Sequence, residues 1–564
     1  MIALVVVAAM AVLWAGYRFY GGFVAGRVKL DDSHATPAHE LSDGVDYVPA
    51  RAPLLLGQHF SAIAAAGPIV GPILAALWFG WLPALLWIVV GAIFIGGVHD
   101  FMSLVASLRH KAASIGEIVN QYMSPFSRLL FLTFVWFALI YVIIAFTDIT
   151  AQTFKAVTAD TAFGPAVATS SVLYLALGVI MGIVLYKLKV NLWAATAIFL
   201  PLVFLAVWLG TRLPESVISA MLNIPVKSWE VGLLIYCFVA SLVPMWLLLQ
   251  PRGYLGGWFL YLTIATGLIG ALFGGFHIQY PALNLDGLRG LETGKLVFPL
   301  LFITVACGAC SGFHGIVSSG TTSKQLYRES DARVVGYGAM ILEGLVAVLA
   351  LATVMMLPKG SAILKGDPNL IYANGLARYL GLVGVHFNLA LTFALLAFST
   401  FVYDTLDVCT RLARYILQEL MGWKSTLGAF AATFITLLLP FAFLMLAKEK
   451  AYLLAWPIFG TSNQLLASLT LLAISVWLIK THRNAIYALA PMAFMMVVTM
   501  WALVLQILPF IRSLPDLLGG RGVASDALIS GICGIILFVL AARLVWEAFA
   551  VLVLGLPKKA RASA

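Results

Sequence analysis

The stretch Lys295-Leu-Val-Phe-Pro-Leu-Leu-Phe-Ile-Thr-Val-Ala-Cys-Gly-Ala-Cys-Ser-Gly-Phe-His-Gly-Ile-Val-Ser-Ser-Gly-Thr-Thr-Ser323 decides how the chain is read. Its first half is an apolar run that fits a membrane helix. Gly308, Ser311, Gly312, His314, Gly315, Ser318, Ser319 and Gly320 then crowd together. Each glycine costs a helix about 1 kcal/mol against alanine, so this half is expected to unwind. Freed amides and carbonyls in hydrocarbon cost several kcal/mol each, so such a break persists only when buried in protein or facing a wet cavity. Interrupted helices at membrane depth are how transporters build binding sites.

The surrounding chain supports that reading. It has 564 residues, 62% hydrophobic and only 10% charged, with mean hydropathy +1.01. Repeated long apolar runs mark an all-α polytopic membrane protein. The net charge of +10 resides in short loops, the pattern of positive-inside orientation rather than of nucleic-acid binding. Spans are expected near 2–23, 54–79, 82–108, 127–150, 170–187, 191–210, 229–249, 253–275, 296–320, 335–357, 386–410, 427–446, 451–479, 486–508 and 526–555, about fifteen in all. Loops following odd-numbered spans carry the excess of Lys and Arg, which places the amino terminus outside and the carboxy terminus in the cytoplasm. The apolar amino terminus lacks a basic leader and reads as a retained span.

A second interruption falls in the second span, where Gly67-Pro68 and Gly71-Pro72 follow one another. Proline removes an amide and distorts the residue before it, so a break is expected here too. The two broken spans are the second and the ninth, and an odd separation makes them cross in opposite directions. That is the sequence pointer to an inverted repeat with substrate held where the breaks meet. The chain then divides into 1–50 (a peripheral span and polar cytoplasmic loop), 51–215 (first repeat), 216–290 (inserted hairpin), 291–484 (second repeat) and 485–564 (peripheral spans and basic tail).

Acids in hydrocarbon are functional candidates by default. Asp100 and Glu343 each lie roughly 13–15 Å inside a span from its cytoplasmic end, on the second helices of the two repeats. Asp404 and Asp407 share a helix face; Asp407 has Arg411 four residues on, the spacing of a salt bridge near the boundary. Asp148 reads as interfacial, and Arg252 as a hairpin cation at the lipid surface. His59, His99 and His314 lie at the breaks or beside Asp100, where imidazole suits proton handling or hydrogen bonding. None has zinc-ligand spacing, and Cys307-x-x-Cys310 alone is a weak metal or redox signal.

Together these residues predict alternating access with an anionic or zwitterionic small molecule. His59, Ser61, Gly67, Pro68, Gly71, Gly308, Ser311, His314, Ser318, Ser319, Asn463 and Gln464 form the candidate substrate site. Helix ends freed at the breaks carry partial positive charge toward a carboxylate, and Asp100, Glu343, Asp404 and Asp407 are candidates for the coupling proton or cation. No metal or cofactor is expected, and no paired catalytic acids, nucleophile elbow or phosphate loop points to an enzyme. A passive channel and a transporter-like nutrient sensor are the other classes weighed.

The motifs Gly57-Gln-His-Phe-Ser-Ala-Ile-Ala-Ala-Ala-Gly-Pro-Ile-Val-Gly-Pro72, His99-Asp-Phe-Met102, Ala112-Ala-Ser-Ile-Gly-Glu117, Leu248-Leu-Gln-Pro-Arg-Gly-Tyr-Leu255, Ala306–Gln325, Thr410-Arg-Leu-Ala-Arg414 and Ile458-Phe-Gly-Thr-Ser-Asn-Gln464 resemble those of the carbon-starvation protein A family, bacterial and archaeal inner-membrane transporters. The resemblance implies a secondary transporter of the amino acid–polyamine–cation superfamily, with a LeuT-like five-plus-five inverted repeat. It further implies import of peptides during carbon starvation, or proton-coupled uptake of pyruvate. The chain departs from the usual family pattern at Gln58 (commonly His), His99 (commonly Gln) and Gly253 (commonly Asp). These positions bear on which substrate is carried and leave the fold expectation unchanged.

Overall fold

The computed structural model describes residues 1–158, 161–290, 296–447, 452–519 and 525–554; the basic tail around Lys558, Lys559 and Arg561 lies outside them. Among these residues, thirteen helices are long and apolar enough to cross a membrane, or fifteen if two sharply bent pairs each count as one. Apart from a hairpin of two-residue strands at Val157–Thr158 and Thr161–Ala162, the described architecture is helical. The chain is therefore an all-helical, multi-pass membrane protein, as its composition predicts.

Both expected interruptions are present. The second span consists of helices Ala52–Ile63 and Gly67–Phe79, bent by 43°. The break falls at residues 64–66, ahead of the first Gly-Pro pair, because Pro68 starts the second helix in its first turn, where a missing amide costs nothing. Pro72 lies inside that helix without ending it, so one Gly-Pro pair makes the break rather than two. In the ninth span, helix Val297–Val305 gives way to a tight turn at Ala306–Gly308, and helix resumes at Gly312–Val317. Ala306 takes φ +41°, a left-handed geometry that is strained for a residue with a Cβ.

The two broken spans run antiparallel, a fact that follows from which residues touch. The Ala50 amide donates to the Gln325 carbonyl at 2.7 Å, and His59 Nδ1 lies 2.8 Å from the Thr322 hydroxyl. Further along, a Cβ on Gly67 would meet Cys307, and one on Gly71 would meet the carbonyl of Thr304. Positions ascending in one span therefore pair with positions descending in the other.

Three elements differ from the expectation. The eleventh span runs Phe387–Met421, about 52 Å, so Asp404 and Asp407 lie mid-helix rather than near a boundary. Helix Pro368–Gly381 occupies what reads as a loop; its Asp367-Pro368 start is a recognisable signal, but its low hydropathy hides it from a search for spans. The seventh span ends at Leu242, ahead of Pro244, and is joined at 89° to the helix Glu215–Asn223.

Residues 29–51 form a strap rather than a free polar loop. Thr36 donates to the Leu326 carbonyl, Asp32 accepts from the Ser330 amide and hydroxyl, and Gln250 donates to the Val48 carbonyl. Asp46 accepts from Arg411 at 3.0 Å and from the Tyr415 hydroxyl. Loops after the first, seventh and ninth spans thus meet at one end of the bundle, with the end of the eleventh. Burial pushes the Asp46 carboxyl up, but Lys324 and Arg411, with the Tyr415 hydroxyl, outweigh it and hold the group below the usual carboxylate range. A depressed carboxylate stabilises the fold above its unfolded pKa and loses that contribution as pH falls through the folded value. Asp46→Asn should lower stability by about 1–3 kcal/mol, read as a drop in thermal midpoint in detergent. The gap between wild type and variant should close as pH is taken below about 4.

Candidate functional site

The breaks interlock through glycine and proline. A Cβ on Gly71 would come within 2.4 Å of the Thr304 carbonyl oxygen, and one on Gly67 within 2.4 Å of Cys307 Sγ. A Cβ on Gly308 would lie 2.8 Å from Ala347 Cβ and 3.6 Å from both Pro68 and Pro72. Gly67, Pro68, Gly71 and Gly308 therefore let two backbones approach.

Several of the backbone groups released by the breaks are partnered by side chains of other helices. Asn463 Oδ1 accepts from the Phe313 amide at 2.9 Å and from the Ser311 hydroxyl at 3.1 Å, while Gln464 Nε2 donates to the Cys310 carbonyl at 2.6 Å. The Thr405 hydroxyl takes the Ala62 carbonyl of the second span at 2.8 Å. Asn463 and Gln464 thus hold the break together instead of presenting amides to a cavity. The Phe313 amide is likewise not open to a carboxylate.

Beside the breaks lies a chain of four buried titratable side chains. His99 Nδ1 is 2.7 Å from Asp100 Oδ1, and His314 Nδ1 is 2.9 Å from Asp100 Oδ2. His314 Nε2 then approaches Glu343 Oε2 at 3.2 Å, out of line for a hydrogen bond, so both Glu343 oxygens lack a hydrogen-bond partner among the described residues. All four side chains are 0% exposed. Asp100 and Glu343, which the sequence places on corresponding helices, are therefore bridged by the histidine of the second break. His59 Nε2 and the Ser318 hydroxyl are also buried without a partner among the described residues, whereas Ser319 is turned onto the Gly315 carbonyl at 2.8 Å.

A second cluster corrects two sequence readings. Arg252 is not at the lipid surface: it is 1% exposed and its guanidinium binds Asp404 and, at 2.5 Å, Asp407. Arg411 pairs with Asp46 and not with Asp407. Ser61 donates to Asp404, Tyr236 donates to Asp407 at 2.7 Å, and Tyr174 donates to the Arg252 carbonyl at 2.6 Å. Gly256 makes room, since a Cβ there would strike both Asp404 and Ser61. Arg252, Tyr236 and Thr405 are the participants that sequence reasoning missed. Arg252 was discoverable, as a lone arginine beside an apolar run whose helix in fact begins at Leu249. Asp148, read as interfacial, is fully buried and accepts from Gln152.

A cavity of about 190 Å³ reaches Ile316, Ser319 and Gly320 from the strapped end, lined also by Tyr47, Lys324, Tyr415 and Glu419. Lys324 sits 4.0 Å above the Tyr415 ring. Among the described residues, no three His, Cys, Asp or Glu side chains converge in a metal-binding arrangement, and the five cysteines are free.

The profile of one family, Carbon starvation protein CstA, matches residues 1–371 and 359–502. A Helicobacter pylori protein named Peptide transporter CstA is 32% identical, covering 89% of this chain and 82% of that one. Peptide transporter CstA of Bacillus subtilis is 31% identical over 88% of this chain and 89% of its own. Pyruvate/proton symporter BtsT of Escherichia coli is 32% identical, with 89% and 81% covered. Solved structures of a manganese transporter from Eremococcus coleocola align over 90% of this chain and 98% of theirs, at 14% identity and a TM-score of 0.45.

The interlocked breaks leave no room for added atoms. Gly71→Ala should cost about 1–3 kcal/mol through overpacking against a carbonyl that cannot yield. Asn463→Leu should cost a similar amount by stranding the Phe313 amide. Thermal unfolding of the purified variants in detergent measures both.

Proposed function

This chain belongs to the Carbon starvation protein CstA family, a family of transporters and not of enzymes, and we propose that it is a secondary active transporter working by alternating access. Its cargo is a peptide or a small carboxylate such as pyruvate, moved inward with a coupling proton when carbon is scarce. The relatives' names, peptide transporter and pyruvate/proton symporter, support that substrate range and the choice of a proton.

One observation carries the reading: the buried series His99, Asp100, His314 and Glu343 at the meeting of two antiparallel broken helices. An acid whose two oxygens lack hydrogen-bond partners in a low-dielectric interior is costly as a bare charge, so Glu343 is suited to carry a proton. His314 touches it on one side and Asp100 on the other, and it belongs to the ninth span's break. A proton moving along this series would therefore sense any change in that break. His59, Ser61, Ser311, His314, Ser318 and Ser319 supply hydrogen bonds to cargo held there, and Gly67, Pro68, Gly71 and Gly308 form the flexing backbone beside it.

The proposed architecture is the LeuT-like five-plus-five repeat, with 51–215 and 291–484 as the repeats, 216–290 inserted between them and 1–50 and 485–564 peripheral. The antiparallel pairing of the second and ninth spans supports it. The protein is placed in the cytoplasmic membrane of a prokaryote, with the amino terminus outside and the strapped, basic loop ends in the cytoplasm.

Proteoliposomes with an imposed proton gradient test the proposal. Wild type should accumulate labelled pyruvate or dialanine above equilibrium, which a passive channel cannot do. Asp100→Asn and Glu343→Gln should each reduce that accumulation by about tenfold or more, the scale of a lost charged interaction. If both variants accumulate cargo as wild type does, with unchanged pH dependence, the coupling assignment fails.

A further inference from the structure

A carboxylate held at this depth is costly without a cation beside it, and the Phe313 amide of the ninth span's break is already taken by Asn463. Arg252 and Arg411 are each 1% exposed. Arg411 is committed to Asp46 and to the carbonyls of Ala240 and Val243 at the strap. Arg252 instead faces two carboxylates that, with it, leave one net negative charge in a sealed interior, and its Nε has no hydrogen-bond partner among the described residues. Its partner Asp404 is bound by Ser61, three residues before the break at 64–66 of the second span.

We propose that Arg252 is the receptor for the cargo's carboxylate, and that Asp404 and Asp407 hold it until a proton neutralises one of them. This rests on the transport reading above and names the residue that recognises the substrate. The exchange balances in charge. With two aspartates and one arginine the cluster carries −1; cargo carboxylate alone would take it to −2, and cargo plus one proton returns it to −1. The proton adds to one aspartate oxygen, that ion pair weakens to a hydrogen bond from the still-charged guanidinium to a neutral acid, and the guanidinium, with Nε and one Nη side by side, receives the incoming carboxylate in a two-point contact. Deprotonation restores the original pair and expels the cargo. Binding of anion and proton is thereby linked at one side chain.

The other groups facing the cluster are few. Tyr174 comes from Gly164–Tyr186, Tyr236 and Cys237 from Val226–Leu242, and Ser61 from Ala52–Ile63. Arg411 follows Asp407 by one turn on the shared helix Phe387–Met421. Tyr403, on the same helix, also faces Arg252 and Asp407; none of these groups carries a carboxyl, so the two aspartates are the groups on which a proton can act near neutral pH.

Calorimetric binding of pyruvate and of dialanine to the purified full-length protein at pH 6 and pH 8 tests the proposal. Wild type should bind at least one probe, more weakly at pH 8, and the neutral isostere pyruvamide should not compete with pyruvate. Arg252→Lys, which keeps the charge but loses the planar fork, should weaken binding by about 30-fold. Asp404→Asn or Asp407→Asn should bind with little difference between the two pH values. The proposal is overturned if Arg252→Lys binds within threefold of wild type, if both asparagine variants keep the wild-type pH profile, if pyruvamide competes as well as the acid, or if neither probe binds. Should Arg252→Lys not fold, the asparagine variants and the pyruvamide competition still decide. Failure here with gradient-driven accumulation intact in wild type, and lost in Glu343→Gln, removes Arg252 and leaves the transport reading standing.

Discussion

The structure is governed by the requirement that backbone freed inside a membrane protein find a partner. Two helices lose their hydrogen-bond ladder at depth, and each freed group that no water reaches would cost several kcal/mol. Asn463, Gln464 and Thr405 answer that demand from two other helices. The breaks are therefore not loose segments. They are joints, each clamped by side chains of a neighbouring span and pressed against the other through glycines that admit no Cβ.

Charge follows from that arrangement. Holding the breaks in direct contact brings His314 between Asp100 and Glu343, and it brings Ser61 onto Asp404 beside Arg252. Two ionisable clusters thus lie beside one pair of joints. Gln58, His99 and Gly253 fall in the same region: a Cβ on Gly253 would lie 3.0 Å from the Gln58 side chain, and His99 sits on Asp100.

Much of the fold is legible because its causes are local. Apolar runs set the spans, Gly67-Pro68 and the glycine cluster after Ala306 set the breaks, and the parity of spans between them sets their opposed sense. Local reading falters where neighbours decide. Pro72 was expected to share in the break, yet it sits within a helix buttressed by the ninth span. Asp407 was paired with Arg411 by spacing alone, because a four-residue offset always permits a bridge. The chain instead offers Arg411 an aspartate more than three hundred residues away, and gives Asp407 an arginine from another helix.

By itself the sequence determined the class, the span order, the places where helix fails and the acids buried at depth, since hydropathy, glycine and proline act within a few residues of themselves. Tertiary structure alone decided which charge meets which. A buried ion pair depends on distance through a low-dielectric interior, and that distance is fixed by how the helices pack, not by how far apart two residues stand along the chain. His314 between Asp100 and Glu343, Arg252 between Asp404 and Asp407, and the strap tied down through Asp46 exist only in the folded molecule.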